Sequence, residues 1–184
     1  MPQRPFDGAR ATAHRTRRDL DDARAVLDAF AARRAPSPWR ADRAAVARRL
    51  RDLVDRPDLF QQRRLNVCGP AAFLRAWARH DPAAFARFAT TLYDTGRAAI
   101  GELAIAPGPL TDTDHAALAD RHGRGIPEPA DWMILGALRA SENRLTTFRG
   151  RPEDALSAMT FPSELVRWLR ATGLYADIVD RTTP

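Results

Sequence analysis

Gln62-Arg63-Arg64-Leu65-Asn66-Val67-Cys68-Gly69-Pro70-Ala71-Ala72-Phe73-Leu74 is the stretch on which the reading of this 184-residue chain turns. It holds the only cysteine, at a point where a loop becomes a helix. Gly69 and Pro70 are costly inside a helix, but the first turn accepts them, because the N–H that proline lacks has no partner there to lose. An apolar helical run follows, with Phe73, Leu74 and Trp77. The positive end of a helix dipole favours thiolate over thiol, the electrostatic setting a cysteine nucleophile needs. Gln62 stands six residues upstream, where a side-chain amide can fold back and donate to an oxyanion formed at Cys68. The competing reading of a lone cysteine is a small buried hydrophobe.

Outward from this stretch the chain reads as helices separated by breakers. Upstream, an apolar stripe of Leu20, Ala23, Val26, Leu27 and Phe30 predicts a helix over residues 16–34, capped by Thr16 with Asp19 in its first turn. Ala35-Pro36-Ser37-Pro38 ends it. A second helix over 41–54 buries Val46, Leu50, Leu53 and Val54 and turns Arg43, Arg48, Arg49 and Arg51 to water. Arg56-Pro57-Asp58 marks a boundary. Downstream, the Cys68 helix ends near His80, and Asp81-Pro82 starts another that Gly96 closes. Residues 97–103 are expected to be a short helix. Residues 104–129 are loop chemistry with a brief helix over 115–121. A strong helix spans 129–145, shorter ones span 152–158 and 162–173, and 175–179 reads as the first strand. The division is a mobile tail (1–15), an Arg-rich helical segment (16–57) and a helical subdomain (58–184).

All 29 basic residues are arginine, and the net charge is +6. Sixteen arginines face nine acidic residues up to position 64, and thirteen face fourteen beyond it. The basic excess therefore belongs to the N-terminal segment. Aromatic residues that would stack bases are nearly absent there, which argues against nucleic acid as a partner. A charged helix face is ordinarily a solvated one. One cysteine makes no intramolecular disulfide, so nothing points to an oxidising compartment. Met1-Pro2-Gln3-Arg4-Pro5-Phe6 has no apolar signal core, and no run approaches a membrane span. The expectation is a soluble cytoplasmic protein without a membrane partner, although a signal-free export route would leave no mark in the sequence.

The Gln62-x5-Cys68-Gly69-Pro70-Ala71 pattern resembles the active-site segment of papain-like cysteine peptidases, especially the bacteriocin-processing branch. From about Gln62 onward the chain also resembles a family of microbial papain-fold proteins. That likeness rests on Asn66-Val67-Cys68-Gly69-Pro70-Ala71-Ala72-Phe73, on Leu92-Tyr93-Asp94-Thr95-Gly96-Arg97, on Ala130-Asp131-Trp132 with Ser141-Glu142-Asn143, and on Gly173-Leu174-Tyr175. The resemblance implies a nucleophile at Cys68 and an oxyanion donor at Gln62. It also implies a peptide or protein substrate, and a fold that is mainly α: the helical half of a papain-like α+β peptidase behind an Arg-rich helical hairpin. It implies a catalytic His on a strand of a later β-rich half. No His follows His122 in this sequence, so the subdomain is expected to be incomplete: a fragment, a degenerate relative, or a half completed by a second chain. An exposed apolar face or a partner covering it then follows.

The remaining candidates carry less chemistry. A cysteine nucleophile needs a base within hydrogen-bond reach. His80 is twelve residues along the same helix, about 18 Å away at 1.5 Å per residue. His14 lies in the tail. His115 and His122 lie in the loop-rich insertion and are the candidates for folding over Cys68. Asp112, Asp114, His115, Asp120 and His122 cluster without a ligand spacing for zinc or an EF-hand loop, so no metal or other cofactor is expected. Glu153 and Asp154 sit at a helix start, where acids are expected on dipole grounds. Trp77, Trp132 and Trp168 fall on apolar faces and read as core. Two functions stand: a papain-like peptidase or related amide-hydrolysing, acyl-transfer domain, inactive by itself if truncated; or a non-enzymatic helical interaction module that binds an acidic protein or nucleic acid through its basic N-terminal helices.

Overall fold

The computed structural model describes residues 15–118, 126–143, 148–154, 158–173, 175 and 178. Among them the chain is mainly α, with six helices and one small hairpin. The helices are α1 (Arg17–Ala31), α2 (Arg43–Asp55), α3 (Cys68–His80), α4 (Pro82–Thr95), α5 (Pro129–Glu142) and α6 (Pro162–Thr172). The hairpin pairs β1 (Ala98–Ile100) with β2 (Leu103–Ile105) between α4 and α5. No helix among the described residues is long and apolar enough to cross a membrane.

Helix starts follow local chemistry. Thr16 and Asp19 form a reciprocal capping box at α1, Asp42 accepts from the Ala45 N–H at α2, and Asp81 accepts from the Ala84 N–H ahead of Pro82 at α4. α1 lays Ala23, Leu27 and Phe30 against α4, where Phe30 meets Tyr93 edge-on at 5.2 Å. All six helices feed one continuous apolar core, from Ala23 to Trp168. The four tryptophans are all inside it: Trp39 as well as Trp77, Trp132 and Trp168. α5 is its central rod, buried over nearly its whole length and packed on α2, α3, α4 and β2.

Two expectations are corrected. Residues 97–103 are not a short helix. Gly101-Glu102 turns the chain, with Gly101 at φ +60, and the alternating Ile100, Leu103 and Ile105 point into the core. A glycine with positive φ in a two-residue turn is the signal of a tight hairpin. The Glu102 N–H then bonds the Ala171 carbonyl, tying the hairpin to α6 at 2.8 Å. Second, Arg43 and Arg49 do not face water. Arg43 stacks over Phe30 and Tyr93 at 4.7 Å and pairs with Asp94. Arg49 is buried against Asp131. Each arginine goes inward because a carboxylate from a distant helix meets it there.

The tail expected over 1–15 and the strand expected over 175–179 lie outside the described residues, apart from Arg15, Tyr175 and Ile178. Arg15 donates to the Val54 and Asp55 carbonyls at the end of α2, both at 2.8 Å. Of the helix expected over 152–158, Pro152 and Glu153 form a turn, Ala158 is helical with its N–H bonded to the Asp154 carbonyl at 2.8 Å, and residues 155–157 lie outside the described set. The helix expected over 115–121 is a 3-10 turn, His115–Leu118, with the rest outside.

Candidate functional site

The loop ahead of α3 is fixed before it reaches Gln62. Arg49 donates to the Leu59 carbonyl at 2.5 Å and, through Nε and Nη2, to Asp131 at 2.6 and 3.2 Å. Asp131 also accepts the Gln61 N–H at 2.8 Å. Asp131 is fully buried, and that burial pushes its carboxyl above the usual range although Arg49 and the Gln61 N–H pull the other way. On Arg49 burial opposes the charge, but the bond to Asp131 prevails and raises the guanidinium further. Residues 59–61 are thus tied to both α2 and α5.

Gln62 comes next. Its carbonyl accepts from the Leu65 N–H, closing the 3-10 turn Arg63–Leu65. Its side chain is half-buried, and its Oε1 is enclosed with no hydrogen-bond partner. Arg63 and Asn66 both take left-handed backbone conformations, at φ +48 and +55, and they are the only non-glycine residues described that do so. Such conformations cost energy for residues with a side chain, more for Arg than for Asn. The buried Leu65 and Val67 anchor the turn that forces them.

Cys68 is the first residue of α3, and its free thiol is exposed. Val67 gives the helix no side-chain cap. The N–H groups of Cys68 and Gly69 have no partner among the described residues, and Pro70 has no N–H, so the first turn ends in unspent donors. Gly69 is required here by packing. A Cβ at that position would lie within 2.6 Å of the Cβ, Oγ1 and Cγ2 of Thr160. The segment that brings Thr160 in is pinned from α5. The buried Arg139 donates through Nη1 to Thr160 Oγ1 at 3.3 Å and to Glu164 Oε2 at 3.2 Å, and through Nη2 to Glu164 Oε1 at 3.2 Å. Burial raises the Glu164 carboxyl, but the hydrogen bonds from Arg139 and the Phe161 N–H outweigh it and hold it below the usual range. On either side of Thr160, Met159 and Phe161 are the exposed large hydrophobics of the described chain, at 50% and 56%.

The structure brings Cys68 and Gln62 onto one loop-to-helix junction but sets no described histidine beside them. His80 occupies the last turn of α3, exposed and edge-on to Tyr175. His115 packs on Trp132, and its Nε2 lies 2.9 Å from the Pro127 carbonyl. Burial pushes its pKa below the ordinary value, against the opposing pull of Pro127, Asp114 and Glu128. His14 and His122 lie outside the described residues, as does Asp120. Among the described residues no group of three His, Cys, Asp or Glu side chains is placed to hold a metal ion. Asp154 accepts the N–H groups of Arg149 and Arg151, which makes it a loop clasp.

Sequence reasoning found no role for Ser141-Glu142-Asn143, and the structure supplies one for its first two members. Ser141 Oγ accepts the Ala106 N–H beside β2, and Glu142 takes Trp168 Nε1 at 2.9 Å and Arg167 at 2.5 Å from α6. Thr160, Arg139, Glu164 and Asp131 were missed as neighbours of the Cys68 turn. The one signal for the first was Gly69, since a glycine in a helical first turn is a place where something comes close. A scan against protein-family models and searches of curated proteins and of solved structures find no match to this chain.

Proposed function

We propose that this chain is a thiol-dependent amide hydrolase or acyl-transfer domain of the papain-like class. It would comprise the helical half of that fold behind the Arg-rich α1–α2 hairpin, and act on a peptide or protein. The observation that carries the proposal is the uncapped, exposed thiol at the first residue of α3, with the half-buried Gln62 side chain six residues upstream. The two left-handed residues between them add support, because backbone strain collects where a fold holds functional groups in place.

In this reading Cys68 Sγ attacks the substrate carbonyl carbon. The C=O electron pair moves onto oxygen, and the oxyanion takes hydrogen bonds from the Cys68 N–H and the Gln62 side chain. The carbon–nitrogen bond breaks as a general base passes the thiol's proton to the leaving amine. A thioester remains, and water cleaves it to release the acid and restore the thiol. His80 and His115 are committed elsewhere, so the base is His122 or a histidine from a second chain that completes the site. The reading as a helical interaction module draws less support, since Arg24, Arg33, Arg43, Arg49 and Arg51 are engaged with carboxylates of the chain itself.

The test is the rate of Cys68 alkylation by iodoacetamide at pH 7, read by mass spectrometry, in the folded chain and in the chain unfolded by guanidinium chloride. An activated nucleophile is expected to react at least about tenfold faster in the folded chain. A folded-chain rate equal to or below that of the unfolded chain would mean the helix start does not activate the thiol, and the proposal would fail.

A further inference from the structure

We infer that the seam between α3 and α6 is a docking surface for an acidic amphipathic segment of another polypeptide, with Met159 and Phe161 as its apolar anchors and the arginines along its edges as its charge partners. The inference stands independently of the chemistry of Cys68. Three contacts set α6 alongside α3 in the same direction. Thr160 abuts Gly69 at the heads of the two helices, Phe73 meets Trp168 at 6.0 Å midway, and His80 meets Tyr175 at 5.9 Å at their feet. Turning Phe73 and Trp168 inward leaves Ala72 exposed and Ala76 half-buried on α3, and leaves Leu165 and Leu169 half-buried on α6. The two leucines follow Phe161 at four-residue spacing, so the three form one ridge. The alanine side chains facing outward on α3 are too short to cover it. At its head Met159 and Phe161 are 50% and 56% exposed. One exposed apolar side chain is ordinary, but a contiguous apolar strip with a polar rim marks a contact surface.

The rim is positive. Arg75 and Arg79 flank the alanines of α3, Arg170 stands in the last turn of α6, and Arg64 precedes α3. Against these four stands one carboxylate, Asp58, which pairs with Arg79 and lies 4.0 Å from Arg75. The hydrogen bond from Arg79, with the charges of Arg75 and Arg15 behind it, holds the Asp58 carboxyl below its ordinary range. Arg64 and Arg170 pair with no carboxylate among the described residues, and Glu164 is spent on the buried Arg139. An occupant of this surface must therefore bring apolar side chains and negative charge together. A second copy of the chain brings the same arginines and is repelled. Nucleic acid supplies the charge but leaves Met159 and the leucines in water. A flat anionic bilayer reaches Met159 and Phe161 but not the half-buried leucines between the helices. A polypeptide segment narrow enough to lie along the seam meets every part of it, as an amphipathic helix does in an apolar groove.

The probe is a fluorescein-labelled helical peptide of about 20 residues, with leucines spaced three and four apart and glutamates on the remaining face. Its binding to the full chain is read by fluorescence anisotropy. Saturable binding with a Kd of about 100 μM or tighter is expected, the range of a small transient interface. Phe161→Ser is expected to weaken it at least about tenfold, as loss of an anchor does. Phe161 is the N-cap of α6, where serine is a preferred residue, so the helix keeps its start. Arg79→Gln is expected to weaken binding by about threefold, the worth of an exposed ion pair. Arg34→Gln, the same loss of charge in the linker after α1, leaves it unchanged. Absence of saturable binding overturns the inference. So does equal affinity for a peptide carrying lysine in place of glutamate, since the rim would then select nothing. An unchanged affinity in Phe161→Ser overturns it by placing the peptide elsewhere. Cosedimentation with phosphatidylserine vesicles in the absence of peptide binding assigns the surface to a membrane and overturns it as well.

Discussion

Substituting Gly69 by alanine puts the packing at the Cys68 turn to a quantitative test. Elsewhere in a helix the change is favourable by roughly 0.5–1 kcal/mol, because alanine loses less backbone entropy. Here the new methyl would lie within 2.6 Å of three atoms of Thr160. Thr160 must retreat by about 1 Å to reach ordinary carbon–carbon separations of about 3.5–4.0 Å. It has no flexible end to swing aside, since the contact is with its branched Cβ. A retreat of that size also stretches the 3.3 Å bond from Arg139 beyond hydrogen-bonding range. Overpacking of this kind costs about 1–3 kcal/mol. With the gain in helix propensity set against the middle of that range, the net loss is about 1 kcal/mol, or roughly 2–4 °C in Tm for a chain of this size. Thermal unfolding followed by circular dichroism measures it. The same substitution is then made in a Thr160→Gly background, where the methyl has room and most of the penalty should vanish. A Gly69→Ala variant as stable as wild type, or an equal penalty in both backgrounds, would refute the claim that Thr160 abuts this helix.

Two further predictions concern buried ionisable groups. Asp131→Ala leaves the Arg49 guanidinium enclosed with only the Leu59 carbonyl, and is expected to cost about 3–5 kcal/mol in urea unfolding. The Arg49→Met, Asp131→Ala double variant should recover much of that, and a single variant within about 1 kcal/mol of wild type would contradict the buried pair. His115 has its pKa lowered by burial, so the unfolded chain takes up its proton first as pH falls; stability is full above the ordinary histidine value and declines through the folded value below it. His115→Gln should therefore flatten the fall in Tm between about pH 7 and pH 5, and an identical fall in both proteins would show that His115 is not the group responsible.

The helices were legible because each has a local signature. Thr16 with Asp19, Asp81-Pro82, and the run from Cys68 to His80 are short patterns whose physics acts within one or two turns, and their starts fall within two residues of expectation. The hairpin was missed because three-residue strands carry too little alternation to outweigh helix-compatible composition; Gly101 was the only cue, and it reads as a turn just as well without strands. Arg49 was assigned to water on its type. Its partner stands 82 residues away, and no periodicity within α2 encodes that. That Cys68 and Gln62 share one loop-to-helix junction was legible for the opposite reason, as both lie inside one thirteen-residue segment. What flanks them was not, because Asp131, Arg139 and Thr160 arrive from elsewhere in the chain.

α5 explains why those flanking residues belong together. A helix so deeply enclosed has every reason to be apolar throughout, yet it buries Asp131, Arg139 and Glu142. The first holds the backbone at Gln61, the second holds Thr160 over Gly69, and the third grips Trp168 and Arg167 of α6. Replacing any one by a hydrophobe of similar size would leave the core packed but its neighbouring segment unpinned. The two that bear on the Cys68 junction come from positions eight residues apart, about 12 Å along the helix at 1.5 Å per residue. One rigid rod therefore sets both the loop that carries Gln62 and the segment that carries Thr160. Directional bonds to buried charges fix those positions, whereas apolar packing alone would let loops of this kind shift by about an ångström.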